Sequence, residues 1–225
     1  MAVLNLRPLL GGRLLRGSQP FGLDAAGTTD FLSRYGIRTV VDLRSSRERE
    51  LLPWQLAAGN GVELLENPFD PAPAGLPPVG TAEELGELYL SWVRQGPAWV
   101  AASLRPAVDG PVFVHCSLGK DRTGVVAALA LLAAGTDPEA VVADYIATTS
   151  ALPQLLAVMA ETWGRAVPAL PAEAFNPAQL LLQSPEAAIR HFLAAFEQEF
   201  GSAADYLREA GLSAAELAAL RSTAA

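Results

Sequence analysis

An apolar strand, a polar loop and an apolar helix follow one another in residues 111–134. Residues 111–115 carry valine and phenylalanine, which is typical of a buried strand. Residues 123–134 are mostly valine, alanine and leucine and favour a helix that ends at Gly135. Residues 116–122 must then form a tight turn at the start of that helix. Such a unit predicts an α/β fold, with the turn at the carboxyl end of a sheet strand.

The turn holds the only cysteine and the only lysine of the chain, Cys116 and Lys120. Free N–H groups and the helix dipole form an anion site at a helix N-terminus. We therefore expect a phosphate in the loop, with the guanidinium of Arg122 as a bidentate donor. The same positive field stabilises a thiolate at Cys116, a nucleophile directly below the bound phosphorus. The predicted phosphate-binding residues are Ser117, Leu118, Gly119, Lys120, Asp121 and Arg122.

Three residues of this segment have predicted supporting roles. Gly119 permits a tight turn and a close backbone approach. Lys120 adds a second, mobile positive charge at the mouth of the loop. Thr123 is placed to donate its hydroxyl to the thiolate and ease its departure.

Other functions of a lone cysteine fit less well. A nucleotide-binding P-loop would need glycine at position 114 and serine or threonine at position 121, where the chain has Val114 and Asp121. A cysteine protease would need a nearby histidine, but His115 points to the other side of its strand and His191 lies on an apparent helix. One cysteine and two histidines give no metal-ligand spacing, so neither a metal nor a cofactor is expected. A small buried hydrophobe remains the plain alternative for Cys116.

The string His-Cys-Ser-Leu-Gly-Lys-Asp-Arg-Thr-Gly, residues 115–124, resembles the signature loop of the cysteine-dependent protein tyrosine phosphatase superfamily. Its Lys-Asp-Arg form is similar to the bacterial tyrosine and lipid phosphatases typified by mycobacterial protein tyrosine phosphatase B. Lysine at Lys120 also resembles the loop of phosphoinositide phosphatases. Residues 13–18, 36–48, 143–145 and 206–211 are similar to further elements of the group. The start differs, because Asn5-Leu6-Arg7 is followed by Pro8 where related chains carry Asn-Phe-Arg-Asp and a longer connection.

The resemblance implies a general acid after a strand at residues 62–65. There Asn67-Pro68-Phe69-Asp70-Pro71 presents Asp70, with a spacing one residue tighter than in the group. Asp70 is alternatively a plain turn residue. Asp121 is a rival acid, or it caps the helix or restrains Arg122 or Lys120. Asp42 ends a strand near the site and is expected to order loops by hydrogen bonds.

The expected activity is hydrolysis of phosphomonoesters through a phosphocysteine, acting on phosphotyrosine and also on phosphoserine or phosphothreonine. Phosphoinositides or inositol phosphates are the alternative substrates. A phosphate-binding module without catalysis, or a sulfurtransferase, are alternatives of another class. Arg44, with Arg47 and Arg49, either lines the cleft and binds further phosphates or begins a solvated helix, since Ser45 and Glu48 form a capping-box pattern.

Composition narrows the partners and the compartment. A net charge of −8 without a basic stripe argues against nucleic acid. The longest apolar run, residues 125–134, is too short to span a bilayer, so no stable membrane insertion is expected. A phosphorylated protein or phosphoinositide is the expected partner, with inorganic phosphate or a similar oxyanion in the loop. A single cysteine and no visible targeting segment favour the cytoplasm, and leave export without a signal peptide open.

The pattern along the chain predicts one phosphatase domain, residues 1–225. A central mixed, largely parallel sheet is flanked by helices, and the C-terminal third is rich in helix. Strands are expected at residues 14–17, 38–43, 62–65 and 111–115. Helices are expected at residues 28–35, from 81, and at 98–107, 123–134, 138 onwards, 152–164, 185–199, 203–210 and 213–222. Residues 71–107 are either core or a helical lid, which periodicity alone does not separate.

Overall fold

The computed structural model of the chain describes residues 3–56, 61–67 and 78–221. Within these ranges one sheet has the strand order β1-β2-β5-β3-β4. β1 pairs antiparallel with β2, and the other neighbours are parallel, which confirms the predicted mixed, largely parallel sheet. The strands are β1 (Arg7–Leu9), β2 (Leu14–Gly17), β3 (Thr39–Asp42), β4 (Glu63–Glu66) and β5 (Val112–His115).

β1 is the strand that the sequence did not predict. It has only three residues, and Pro8 removes one donor, which an edge strand tolerates. The chain reverses into β2 through Leu10, Gly11 and Gly12, all with positive φ. The two glycines adopt this left-handed backbone without steric cost, so the reversal is tight and the N-terminal segment stays beside β2.

Helices cover both faces of the sheet and make up most of the C-terminal half. They are α1 (Ala25–Arg34), α2 (Ser46–Leu51), α3 (Ala82–Gln95), α4 (Pro97–Leu104), α5 (Asp121–Ala133), α6 (Pro138–Ala147), α7 (Leu152–Ala166), α8 (Glu186–Phe200), α9 (Ala203–Glu209) and α10 (Ala214–Arg221). The predicted helices are present, with α1 beginning three residues earlier than expected. Asp24 is its N-cap and accepts a hydrogen bond from the N–H of Gly27.

α5 is the central helix of the larger core. Nearly all of its side chains from Thr123 onwards are buried, among α4, α6, α9 and α10 and the strands β2 and β5. A smaller core lies on the other face of the sheet and includes Phe113, Val40 and Leu32. Because α5 is held on all sides, its N-terminus is a fixed point of the molecule.

α3 packs along α8 and buries the face that its periodicity marks as apolar. Leu85, Tyr89 and Val93 are completely buried there. The sequence Thr81-Ala82-Glu83-Glu84 predicts a capping box, and the structure forms it at the N-terminus of α3, between Thr81 and Glu84. α3 and α4 thus contribute to the core in this structure, as the core alternative for these residues predicts.

One described stretch, Pro138–Ala166, is long and apolar enough to cross a membrane by length and composition alone, with a hydropathy of 1.3. The structure forms it as two helices, α6 and α7, separated by a 3-10 turn at Thr148–Ala151. Asp144, one of its three acidic residues, pairs with two arginines. The stretch therefore belongs to the packed body of the fold.

Candidate active site

Three parallel strands end side by side beneath the site. In register, Gly17 of β2, His115 of β5 and Asp42 of β3 lie abreast. β5 is in the middle, so Cys116 leaves the sheet between the loops that follow β2 and β3. The carboxyl edge of a parallel sheet is the usual place of a ligand site in such folds.

The segment 116–122, called the signature loop from here on, turns tightly from β5 into α5. Gly119 has φ of +67°, and a Cβ there would lie 2.1 Å from the carbonyl oxygen of Gly17. A side chain at this position is thus excluded both by conformation and by space, which confirms the predicted turn and close approach. α5 begins at Asp121 without a side-chain cap, so its dipole faces the loop.

Cys116 lies at the base of the loop, 3% exposed. Thr123, one turn into α5, is completely buried, and among the described residues its hydroxyl has no hydrogen-bond partner. The predicted bond from this hydroxyl to the cysteine is not made in this structure. The hydroxyl is thus a donor that is not engaged elsewhere.

Arg122 is held by a carboxylate that the sequence had assigned only to a helix cap. Its Nη1 and Nη2 donate to Glu48 Oε2 and Oε1 at 2.7 and 2.9 Å. Nη1 also donates to the carbonyl oxygen of Leu43 at 3.1 Å. This planar, bidentate pair fixes the guanidinium at the edge of the loop.

Glu48 joins α2 to the loop on the other side as well. Its carboxylate accepts the hydroxyl of Ser117 and the N–H of Ser45, which confirms the Ser45–Glu48 capping box. Burial alone would raise the pKa of Glu48, but the charge of Arg122 and these hydrogen bonds lower the pKa to about 2. Glu48 is therefore ionised at every pH at which the protein is expected to work.

The guanidinium of Arg44 is held by internal partners, which contradicts the alternative that it binds further phosphates. It is 1% exposed, and its Nε and Nη2 donate to the carboxylate of Asp42. Its Nη1 donates to Gln19 Oε1 and to the carbonyl oxygen of Leu52. Asp42 and Arg44 together tie the loops after β2 and β3, which confirms the ordering role predicted for Asp42.

The other arginines of that cluster are also engaged or remote. Arg47 is 74% exposed beside Glu50, and Arg49 donates to the carbonyl oxygen of Arg44. The helix-start alternative is thus the one that the structure shows.

His115 contacts the backbone directly at Cys116. Its Nε2 accepts the indole N–H of Trp54 at 2.9 Å, and its Nδ1 lies 3.0 Å from the carbonyl oxygen of Cys116. Burial lowers the pKa of His115 to about 4, against the opposing charge of Asp42. The ring is therefore neutral at pH 7, with the proton on Nδ1 donated to Cys116.

Lys120 is not at the mouth of the loop, and that prediction is wrong. Its side chain is completely buried, and Nζ donates to the carbonyl oxygens of Leu181, at 2.8 Å, and Gln183. Asp121 completes its surroundings at 2.9 Å. The ammonium of Lys120 thus donates hydrogen bonds to the segment that precedes α8 and is not available to a ligand.

Asp121 restrains Lys120, one of the alternatives that the sequence left open. The same oxygen, Oδ1, accepts the hydroxyl of Tyr89, which in turn contacts the hydroxyl of Tyr145. Burial, together with the charge of Asp121, raises the pKa of both tyrosines above the ordinary value, so both hydroxyls stay protonated. This tyrosine row, Asp121, Tyr89 and Tyr145, links the loop to α3 and α6.

The N-terminal segment meets the loop from the opposite side to Glu48. Asn5 Nδ2 donates to the carbonyl oxygens of Leu118 and Gly119 at 3.3 and 3.1 Å. Arg16 Nη2 donates to the carbonyl oxygen of Gly119 at 2.8 Å. Arg7 and Arg16 share the carboxylate of Asp144, so α6 supports both.

A model of the tyrosine phosphatase family matches residues 6–224. The chain belongs to the tyrosine phosphatase family. The match confirms both the resemblance found in the sequence and the predicted class of enzyme, a phosphatase.

Individual relatives are similar over different lengths. Triple specificity protein phosphatase PtpB of Mycobacterium tuberculosis is 34% identical over 254 residues, 96% of this chain and 91% of that protein. A tyrosine-protein phosphatase of Nostoc commune is 31% identical over 52% of this chain and 42% of that protein. The structure of P. aeruginosa TpbA aligns at 19% identity with a TM-score of 0.41, over 78% of this chain and 91% of that chain.

In this family member Cys116, Ser117 and Arg122 of the signature loop lie at the same edge of the sheet as Asp42 and His115. Asp70 lies outside the described residues, so its role stays a prediction. The described residues hold no cluster of histidine, cysteine, aspartate or glutamate side chains fit for a metal ion.

The residues that the sequence analysis missed are those that contact the loop from a distance: Asn5, Arg7, Arg16, Glu48, Tyr89, Asp144 and Tyr145. For Arg16, Asp144 and Tyr145 the resemblance of residues 13–18 and 143–145 to family elements was the available signal, and it named no role.

Proposed function

We propose that this phosphatase hydrolyses phosphomonoesters in two steps through Cys116, with phosphotyrosine as its preferred substrate. The observation that carries the proposal is Cys116 at the base of a glycine-turned loop that ends in Arg122 and an uncapped helix N-terminus. Loop N–H groups and Arg122 supply donors for the three equatorial oxygens of the transferred group. Positioning and charge stabilisation of this kind dominate phosphoryl transfer.

In the first step the thiolate sulfur of Cys116 forms a bond to phosphorus while the bond from phosphorus to the ester oxygen breaks. Asp70 gives its proton to that departing oxygen. In the second step Asp70 takes a proton from water, whose oxygen attacks phosphorus. The sulfur–phosphorus bond breaks, and thiolate and inorganic phosphate are released.

The burial of Cys116 favours phosphotyrosine, because a long aromatic ester reaches a deep phosphorus site more easily than a short one. Phosphoserine and phosphothreonine are secondary substrates in this proposal. Phosphoinositides are a second candidate, supported by the triple specificity in the name of the mycobacterial relative. Phosphoinositides are less favoured because Lys120 and Arg44 both make internal contacts. Fewer cations are therefore left to bind further phosphates.

The test is turnover of a phosphotyrosine peptide and of a soluble short-chain phosphoinositide, with Cys116→Ser as the zero. We expect the peptide to be the better substrate and the serine variant to bind phosphate without turnover. Activity of Cys116→Ser near that of the wild type would contradict the mechanism. Equal or faster phosphoinositide turnover would contradict the substrate preference.

The role of Asp70 is tested separately by the pH profile of Asp70→Asn. Loss of the limb of the profile that reports a protonated acid, with a lower rate on poor leaving groups, is expected. An unchanged profile and rate would remove Asp70 from the mechanism.

A further inference from the structure

We infer that Asn5 and Arg16 are positioning residues that hold the outer carbonyl groups of the signature loop and so aim its N–H groups at the transferred phosphoryl group. The inference rests on the proposed function, which makes the loop the oxyanion site. Neither residue touches the reacting atoms. Both act through the orientation of peptide units between Ser117 and Asp121.

A trans peptide unit is planar, and its C=O and N–H point in opposite directions. A donor that holds the carbonyl of one residue therefore fixes the direction of the N–H of the next. Three successive carbonyls of the loop are held from outside. Ser117 accepts from the N–H of Gln19 at 3.1 Å, Leu118 from Asn5, and Gly119 from both Asn5 and Arg16.

The N–H groups that belong to these units are those of Leu118, Gly119 and Lys120. With their carbonyls turned outwards, all three are turned to the inner side of the loop. These are donors that the proposed chemistry needs on the phosphoryl oxygens. The outer hydrogen bonds thus determine the inner geometry.

The loop needs this support because of Gly119. Glycine allows many backbone conformations, so the peptide units on either side of it are the ones most free to rotate. Asn5 bridges the carbonyls on both sides of that glycine, those of Leu118 and Gly119. Asn5 therefore donates to the part of the loop whose backbone is most free to rotate.

The amide of Asn5 has a fixed orientation. Its Oδ1 accepts from Arg7 Nη1, at 2.5 Å, so Nδ2 is the atom left to face the loop. A rotated amide would set NH2 against the guanidinium and oxygen against two carbonyls. Asn5 also has φ of 54°, a left-handed backbone that asparagine adopts more readily than most residues.

Arg16 is fixed in a comparable way from below. It is completely buried at the end of β2, and Asp144 compensates its charge while also binding Arg7. Asp144 therefore connects Arg16 to α6 directly, and Asn5 through Arg7. A second donor to Gly119 from a different element makes rotation of that unit still less favourable.

The test compares variants that change the donor and keep the rest. Asn5→Asp keeps the acceptor for Arg7 but turns a carboxylate oxygen towards two carbonyls. Arg16→Lys keeps the charge beside Asp144 but loses the forked donor. Arg13→Lys is the matched control, since Arg13 precedes β2 at its other end and donates to the carbonyl of Val108, away from the loop.

The measurements are kcat and KM for p-nitrophenyl phosphate, inhibition by orthovanadate, and the urea midpoint of unfolding. We expect kcat of Asn5→Asp and Arg16→Lys to fall by about 10- to 100-fold, since small displacements of catalytic donors have effects of that order. Orthovanadate inhibition should weaken by a similar factor, while Arg13→Lys stays within about twofold of wild type.

If both variants keep wild-type kcat and orthovanadate inhibition, the inference is overturned, even if the urea midpoint falls. Asn5→Ala provides a second variant, because a half-buried position tolerates truncation, and it should show the same loss to a smaller degree. Failure of the proposed function looks different, because the wild type itself would then be inactive or Cys116→Ser would retain activity.

Discussion

The two cations of the signature loop lie two positions apart and have opposite surroundings. Arg122 is at the edge of the anion site, where one carboxylate orients it and leaves it partly exposed. Lys120 is completely buried, and two carbonyl oxygens and Asp121 surround its ammonium. The difference shows that a cationic side chain in this loop is available to a ligand only where its neighbours do not bury it.

The regions behind the two cations differ in the same way. Glu48 comes from α2, which follows a strand neighbouring the loop, and it aligns Arg122 without removing it from the site. The two carbonyl acceptors for Lys120 come from residues 181–183 before α8, far along the chain, and they contact the loop on its other side. The Arg122 side of the loop is thus accessible to a substrate, and the Lys120 side fixes the loop to the rest of the fold.

The sharpest way to break this comparison is to change Arg122. Arg122→Lys keeps a positive charge but loses the planar fork, and we expect kcat to fall about 100- to 1,000-fold, as for loss of an oxyanion donor. Steady-state kinetics on p-nitrophenyl phosphate measure this, with Arg105→Lys, an exposed arginine paired with Glu216, as control. A fall of less than about fivefold would show that Arg122 is no more engaged than Lys120.

Glu48 gives a prediction for stability against pH. Its folded pKa, about 2, lies below its ordinary value of 4.5, so its stabilising effect is complete above pH 4.5 and is lost as pH falls towards 2. The loss should amount to at most about 3 kcal/mol. Urea unfolding of wild type and Glu48→Gln should show a difference in unfolding free energy that is clearly smaller at pH 3 than at pH 6.

Glu50→Gln, on the exposed face of the same helix, is the control for that experiment. It should leave the pH dependence of unfolding as in the wild type. A constant difference between wild type and Glu48→Gln at both pH values would mean that the ion pair with Arg122 contributes nothing that depends on ionisation.

Lys120 should matter for stability more than for substrate choice. Lys120→Met leaves two carbonyls and Asp121 without their donor, and we expect the free energy of unfolding to fall by about 2 kcal/mol. The ratio of phosphotyrosine to phosphoinositide turnover should stay within about twofold of wild type. A selective loss of phosphoinositide turnover would show that Lys120 leaves its buried position to contact substrate.

The smallest expected effect concerns the tyrosine row behind Lys120. Tyr89→Phe removes the hydroxyl that joins Asp121 and Tyr145, and we expect a loss of about 1 kcal/mol in unfolding free energy. Tyr35→Phe, at an exposed tyrosine, should change unfolding by less than about 0.5 kcal/mol. Equal effects at the two sites would mean that the row does not stabilise the loop.

What the sequence predicted correctly depends on short-range signals. The strand–loop–helix unit, the turn at Gly119 and the capping boxes at Ser45 and Thr81 all involve residues at most a few positions apart. The run of valine, alanine and leucine in residues 123–134 also predicted α5. Such features follow from local backbone chemistry and need no knowledge of the rest of the chain.

The errors share a different physical origin. Arginine and lysine are rarely buried completely, so Lys120 and Arg44 were expected at the surface of the cleft. Their burial is made possible by partners elsewhere in the fold, such as Gln183 for Lys120. Arg16 and Asp144 meet across 128 positions, and no periodicity in the sequence records that distance.

The contact between Lys120 and Gln183 also has a consequence for how the enzyme comes into being. Synthesis proceeds from the N-terminus, so Cys116 leaves the ribosome well before Asp144 and the segment at residues 181–183. A nascent chain that has reached α5 already carries Cys116, the proposed nucleophile, but not the residues that contact the loop from the C-terminal part of the chain. During part of its synthesis the protein therefore carries a thiol whose loop is not yet supported. The complete loop environment forms only after the last third of the chain has been made.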